Sequence, residues 1–419
     1  MMEPGAAPAA TQFDHRTDNT GDAGASTESV IPRRARIESV DLVRGIIMIL
    51  MALDHTRDFF GNLGANPTDL ATTTAGLFLT RWITHICAPV FFLLTGTGAW
   101  FRGRRRSRSE MARYLLTRGL WLLVLELVVM RFLLQFNVDY KVTIITVLWG
   151  LGWAMIALAG LIYLPHWLIA VIGGVMIAGH NLLDGIQASS FGALAPVWNI
   201  LHGPGFVINS PDHVVFVSYV LIPWIGVTAL GYLLGQIYQW DAARRRSWLG
   251  WVGTALIAAF VVLRAINIYG DPAPWSAQQS SVFTALSFIN ATKYPPSLLF
   301  LLMTLGPALL LLRAFDGGMP RWLRPALIFG KVPMFYFLLH FLLIHLLVLA
   351  AALIRYGSLA GMFDSPGLDK FPFTAPAGWA APLPVIYLIW AAVVVALYPV
   401  CRWYAGVRAR RTDWWLSYL

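Results

Sequence analysis

The sequence predicts an all-α polytopic membrane protein with about ten transmembrane helices and both chain ends on the cytoplasmic side. Three observations predict it. Of the 419 residues, 58% are hydrophobic and only 12% are charged, and the mean hydropathy is +0.64; a soluble domain carries about 25% charged residues. Apolar stretches of the roughly 20 residues needed to cross a bilayer recur along the chain. Arginines also gather in alternate connections between those stretches, as they do on the cytoplasmic side of membrane proteins.

Taken in order, residues 1–35 open with Ala, Gly, Thr and Asp and no apolar run. They lack the basic and apolar regions of a signal peptide and read as a disordered cytoplasmic tail. Ten spans follow, at 40–60, 76–101, 114–135, 142–163, 165–183, 214–238, 248–268, 294–313, 326–354 and 382–404. The connections "FRGRRRSRSEMAR" (101–113), "QWDAARRRS" (239–247), "RAFDGGMPRWLR" (313–324) and "RWYAGVRARR" (402–411), with Arg118 at a helix edge, hold seventeen arginines. The opposite loops 61–75, 136–141, 184–213, 269–293 and 355–381 hold four cations, Lys141, Lys293, Arg355 and Lys370. The arginine-rich side is therefore cytoplasmic.

Pro165 in "YLPHW" separates the fourth and fifth spans. Fusing them would turn every later basic loop outward, which supports the split. Residues 36–405 make one membrane domain, and 406–419 a cytoplasmic tail. The long outer loops 184–213 and 269–293 have the length to cover a site. The net charge of +10 follows from this topology. No basic patch is interleaved with exposed aromatics, so nucleic acid is not a partner. Cys87 and Cys401 fall toward opposite faces and predict no disulfide. Trp414, Trp415 and Tyr418 read as an interfacial belt.

The first span is the unusual one. "SVDLVRGIIMILMALDHTRDFF" (39–60) carries Asp41, Arg44, Asp54, His55, Arg57 and Asp58. With about 100° per residue, His55 lies about 20° from Arg44, Asp58 about −40° and Asp41 about 60°. These four share one stripe, with an Asp/Arg pair at the cytoplasmic end and a His/Asp pair about 16 Å away. A charge at the bilayer centre costs about 2.5–3.5 kcal/mol, so the stripe should face a protein-lined passage. Asp58, three residues after His55, is placed to hold the imidazole and raise its basicity. Asp54 and Arg57 sit to one side and can meet.

In the second span, Arg81 and His85 share a face at its outer end, so His55 and His85 can converge on one site. A two-histidine metal centre would need a third ligand, and no HExxH-type spacing supplies one. No metal is expected. Glu126 and Arg131 read as structural. His340 and His345, about 140° apart on one helix, do not share a site, and His340 alone is a candidate.

"SVDLVRGIIMILMALDH" and "THICAPVFFLLTG" resemble the opening of the heparan-α-glucosaminide N-acetyltransferase family, one branch of the transmembrane acyltransferases. "KYPPSLLFLLMTLGPALLLL" (293–312) and "FGKVPMFYFLLHFLLIHLL" (329–347) resemble later helices of its bacterial members. The resemblance implies an acetyl group carried from cytoplasmic acetyl-CoA to an extracytoplasmic amino sugar or glycan, in the bacterial inner membrane, by a homodimer. It also implies a catalytic histidine in the first outer loop, but 61–75 holds none. His55 falls where the family shows Asn, and His85 where it shows Asp.

Geometry alone assigns His55, Asp58, His85 and Asp54 to catalysis. Asp41, Arg44 and Lys331 in "GKVP" are assigned to the anionic donor, and Arg81, Asn290 and Lys293 to the acceptor. The imidazole would act as general base or as an acetyl-accepting nucleophile. A transporter or flippase is the competing class, because intramembrane charge also suits a proton or solute pathway. No span is visibly broken by paired Gly/Pro in matched halves, which weighs against it.

Overall fold

A computed structural model describes residues 35–411 and 413–418. The expected N-terminal tail falls outside these residues, apart from Ala35, which opens the first helix. The chain is a helical bundle. Its helices are α1 (Ala35–Phe60), α2 (Ala75–Thr84), α3 (Cys87–Gly103), α4 (Arg108–Val124), α5 (Arg131–Gln135), α6 (Val147–Leu161), α7 (His166–Ala178) and α8 (Ala195–Leu201). They continue as α9 (Leu221–Leu234), α10 (Ala242–Ile266), α11 (Ser281–Ile289), α12 (Leu298–Phe315), α13 (Ala326–Lys331), α14 (Pro333–Tyr356) and α15 (Leu383–Arg410).

Six helices among the described residues are long and apolar enough to cross a membrane, counting α2 with α3 as one and α9 with the turn after it. α6 and α7 are shorter apolar helices, and α1 is long enough but heavily charged. The protein is thus an integral multi-pass membrane protein, with fewer full-length apolar spans than the ten expected. Each expected span coincides with helix, but several are interrupted. The span at 326–354 is two helices, split at Val332–Pro333. The one at 165–183 ends as a helix at Ala178 and continues as a 3-10 turn, His180–Leu183. The boundary drawn at 405 falls inside α15. α6 and α7 are separate helices, and Pro165 sits at the N-cap of α7.

The all-α expectation also needs correcting. Val142–Ile145 (β1), Gly205–Asn209 (β2) and Val214–Val217 (β3) form a sheet in the order β1-β3-β2. β1 and β3 pair parallel, from Val142 opposite Val214 to Ile145 opposite Val217. Both strands occupy the opening residues of expected spans, 142–163 and 214–238. Their β-branched and aromatic runs, "VTII" and "VVFV", fit a pleated surface better than a helix.

Two close crossings set the bundle. A methyl group on Gly45 would lie 1.8 Å from the Ala326 carbonyl oxygen, and one on Gly330 the same distance from that of Asp41. α1 and α13 therefore touch backbone to backbone. Gly96 of α3 and Gly231 of α9 do the same, at 2.0 Å from the Thr228 oxygen and 2.1 Å from the Leu93 oxygen. Small residues permit such approaches where lipid gives helices no hydrophobic reason to associate.

Buried charges serve as fasteners. Glu126 lies in a π-helical stretch, Leu125–Met130, between α4 and α5. Its carboxylate accepts from the backbone N–H of Thr146 and from that of Leu148 at 3.1 Å, so it caps the N-terminus of α6 from a neighbouring helix. Arg131 donates to the Asn137 carbonyl at 3.3 Å and lies 4.8 Å from the Tyr140 ring. Both residues are structural, as read. Arg245 forks onto Asp316 at 2.7 and 3.0 Å, joining the start of α10 to the end of α12. Arg264 binds the carbonyls of Ser287, Phe288 and Asn290 at the end of α11. Cys87 and Cys401 are buried free thiols.

Candidate active site

α1 ends in a cavity of about 480 Å³, within the size range of small-molecule sites. Its walls come from distant parts of the chain. α1 supplies Asp54, His55 and Asp58, α2 supplies Arg81, and the loop after α11 supplies Lys293 and Tyr294. Phe337 and Phe341 of α14 close one side, and Thr146, Phe216 and Ser218 at the sheet close another. Residues 61–67 with Leu368, Phe371 and Pro372 complete the wall.

One wall is an ionic ladder. Asp54 accepts from Arg57 at 2.9 Å on one oxygen and from Arg81 on the other. Arg57 also reaches Asp58 at 2.5 Å. The i,i+3 spacing of Asp54 and Arg57 made their pair legible. Arg81 arrives because the hairpin brings α2 back beside α1. Asp54, Arg57 and Arg81 are largely enclosed, whereas the Asp58 side chain is 47% exposed and faces the cavity.

The other wall is a chain of imidazoles. His55 Nδ1 lies 2.6 Å from His340 Nε2, and His340 Nδ1 lies 3.1 Å from the Tyr336 carbonyl oxygen. A carbonyl only accepts, so His340 Nδ1 carries a proton and, in the neutral ring, His340 Nε2 is a lone pair. His55 Nδ1–H must then donate to it. The neutral His55 ring is left with a basic Nε2 for the cavity. Phe341 stacks on His55 with centroids 4.2 Å apart and fixes the ring plane.

This arrangement corrects three expectations. The partner of His55 is His340, not Asp58, which Arg57 holds. His85 does not converge on His55; it is buried against Phe300, centroids 5.4 Å apart, and is absent from the cavity wall. The break between α2 and α3 at His85–Ile86 turns it aside. Asn290 also stays off the wall, with its amide donating to the Thr68 carbonyl at 3.0 Å.

The Asp41/Arg44 end of the stripe is separate. Arg44 pairs with Asp41 at 2.8 Å, as the spacing predicts, and donates to the Gly330 carbonyl at 3.0 Å. It fastens α13 to α1. Lys331 is exposed, and its carbonyl accepts from Arg408 at 2.9 Å. Asp41, Arg44 and Lys331 do not line the cavity. On the helical wheel the rungs between Arg44 and His55 belong to Met48 and Met51, both buried. The stripe is therefore polar at both ends and closed by two methionines in the middle, not continuous.

The family model for the heparan-alpha-glucosaminide N-acetyltransferase catalytic domain matches residues 36–269. The chain belongs to that family. This is a family of membrane acetyltransferases, and the match takes in α1 with its charged stripe, the 61–75 loop, the sheet and α10. A search of curated proteins returns no match. The match ends before Lys293, Tyr294 and α14, so His340, which orients His55, lies outside the matched region. Sequence reasoning named His340 but gave it no partner. Tyr294 and Thr146 it missed, because neither carries a local signal.

Proposed function

We propose that this acetyltransferase moves an acetyl group from acetyl-CoA, bound from the cytoplasmic side, to the amine of an amino sugar or glycan in the outer cavity. The observation carrying this reading is the His55–His340–Tyr336 relay, which leaves a lone pair on His55 Nε2 at the cavity wall. That nitrogen takes the proton from the acceptor amine as it attacks the thioester carbonyl. The C–N bond forms, the C–S bond breaks, and the proton passes on to the departing CoA thiolate. An acetyl-imidazole route would use the same nitrogen.

The surrounding charges suit the acceptor. Asp58, exposed in the cavity, can hold its ammonium or hydroxyl groups, and Lys293 and Arg81 its oxygen substituents. The donor needs cations at the other end, where Lys331 and the arginines of 102–108 are exposed. Arg44 already binds Asp41 and Gly330 and acts there as a fastener. The pantetheine arm must displace Met48 and Met51, whose unbranched side chains yield at low cost. In this reading the ten helical segments span the bacterial inner membrane, several of them as broken helices, with both chain ends cytoplasmic. A homodimer completes the reading that the resemblance suggests.

The test is acceptor-dependent CoA release by purified protein given labelled acetyl-CoA with and without glucosamine or short amino glycans. Labelled N-acetyl product is expected. Failure to bind acetyl-CoA, or no product with any amino sugar, overturns the proposal. A pH series adds a sign: neutral His55 is the active form, so the rate should fall on the acid side.

A further inference from the structure

A second cluster of chemistry-bearing side chains stands apart from this cavity. His180 and Asp184 flank the 3-10 turn after α7, and His202 follows the last residue of α8. One ligating atom from each of the three lies within 4.8 Å of the others. His202 Nε2 is 3.1 Å from an Asp184 oxygen, and the two imidazole centroids are 5.8 Å apart. Asp184 and His202 also line a cleft of about 330 Å³ in the outer loops.

Two features point to a ligand. His180 is 2% exposed with the Pro296 carbonyl beside its ring, which leaves one ring nitrogen without a hydrogen-bond partner, and His202 Nδ1 is equally unpaired. A buried unpaired polar atom costs about 1–3 kcal/mol, so natural proteins rarely leave two together. The second feature is the setting of the carboxylate. Asn181 Nδ2 donates at 2.8 Å to the Asp184 oxygen not facing His202, and Asn181 is itself fixed by the Leu298 N–H at 2.9 Å. Metal-binding carboxylates are held in this way by an outer shell of hydrogen bonds.

We propose that His180, Asp184 and His202 form a binding site for one divalent cation of the zinc class, with a fourth position open to the cleft. Two imidazoles and one carboxylate are the donor set that zinc takes in three-ligand sites. Tetrahedral ligands at about 2.0–2.1 Å from the metal stand about 3.3 Å apart. The site closes by small rotations of the two rings. Metal-type spacing in the sequence does not show this set, because the third ligand comes from a different helix end. The metal would tie α7 to α8 and hold the 184–213 segment, whose strand β2 flanks β3 at the cavity.

The experiment uses full-length protein with its tag removed, stripped with EDTA and titrated with ZnCl2 and CoCl2. Elemental analysis should find one zinc per chain, and cobalt should show the visible bands of a tetrahedral nitrogen and oxygen site. Asp184→Asn and His202→Gln should each weaken binding by about tenfold or more. His213→Gln, an exposed histidine on the same loop, should not. If a ligand variant does not fold, the wild-type protein decides alone. A zinc-dependent rise in melting temperature with tetrahedral cobalt bands supports the site. Substoichiometric metal, or octahedral cobalt with no thermal shift, overturns it, as does unchanged binding in the variants.

Discussion

His340 accepts the His55 Nδ1 proton and so holds His55 in the tautomer whose Nε2 is the base. His55→Ala should lower kcat by about 10² or more, with acetyl-CoA binding retained. His340→Ala should lower kcat less, leave the donor KM unchanged, and shift the acid limb of the rate profile, which a purely structural role would not do. Asp54 gives a stability prediction. Asp54→Asn leaves Arg81 buried without its anion, while Arg57 keeps Asp58, and should cost about 3 kcal/mol in a detergent unfolding assay. At this scale the sequence was legible where partners are three or four residues apart, as for Asp41 with Arg44 and Asp54 with Arg57. It was silent on His55 with His340, which lie 285 positions apart. Proximity on the helix favoured Asp58, and a nearer arginine took it.

Between elements, contact is set by what a backbone can approach. Gly45 and Gly330 leave no room for a Cβ, so Gly45→Ala should force α1 from α13 and destabilise by about 3 kcal/mol. That change should also loosen the Arg44 bond to Gly330, raising protease sensitivity near Lys331. Ser107 offers a milder contrast. It caps α4 in a reciprocal bond with Glu110, and Ser107→Ala should cost about 1 kcal/mol. Where helices fall was readable from apolar runs. Where they break was not, because the π-helical stretch exists for Glu126 to reach α6, and the pairing of β1 with β3 joins segments far apart in sequence.

For the whole molecule, orientation and the two-ended site belong together. In the proposed reaction the donor end faces the cytoplasm and the cavity faces out. Cysteine labelling checks this cheaply, since Cys87 and Cys401 are buried. In intact cells Ala71→Cys should react with an impermeant maleimide, whereas Arg105→Cys should react only after permeabilisation. The most direct measurement of the central claim is transfer of labelled acetyl from acetyl-CoA to glucosamine by wild type and His55→Ala, with CoA binding measured on the same samples. Wild type should form N-acetyl product, and His55→Ala should bind CoA yet form almost none. Full turnover by His55→Ala would contradict the account and remove the imidazole relay from the chemistry.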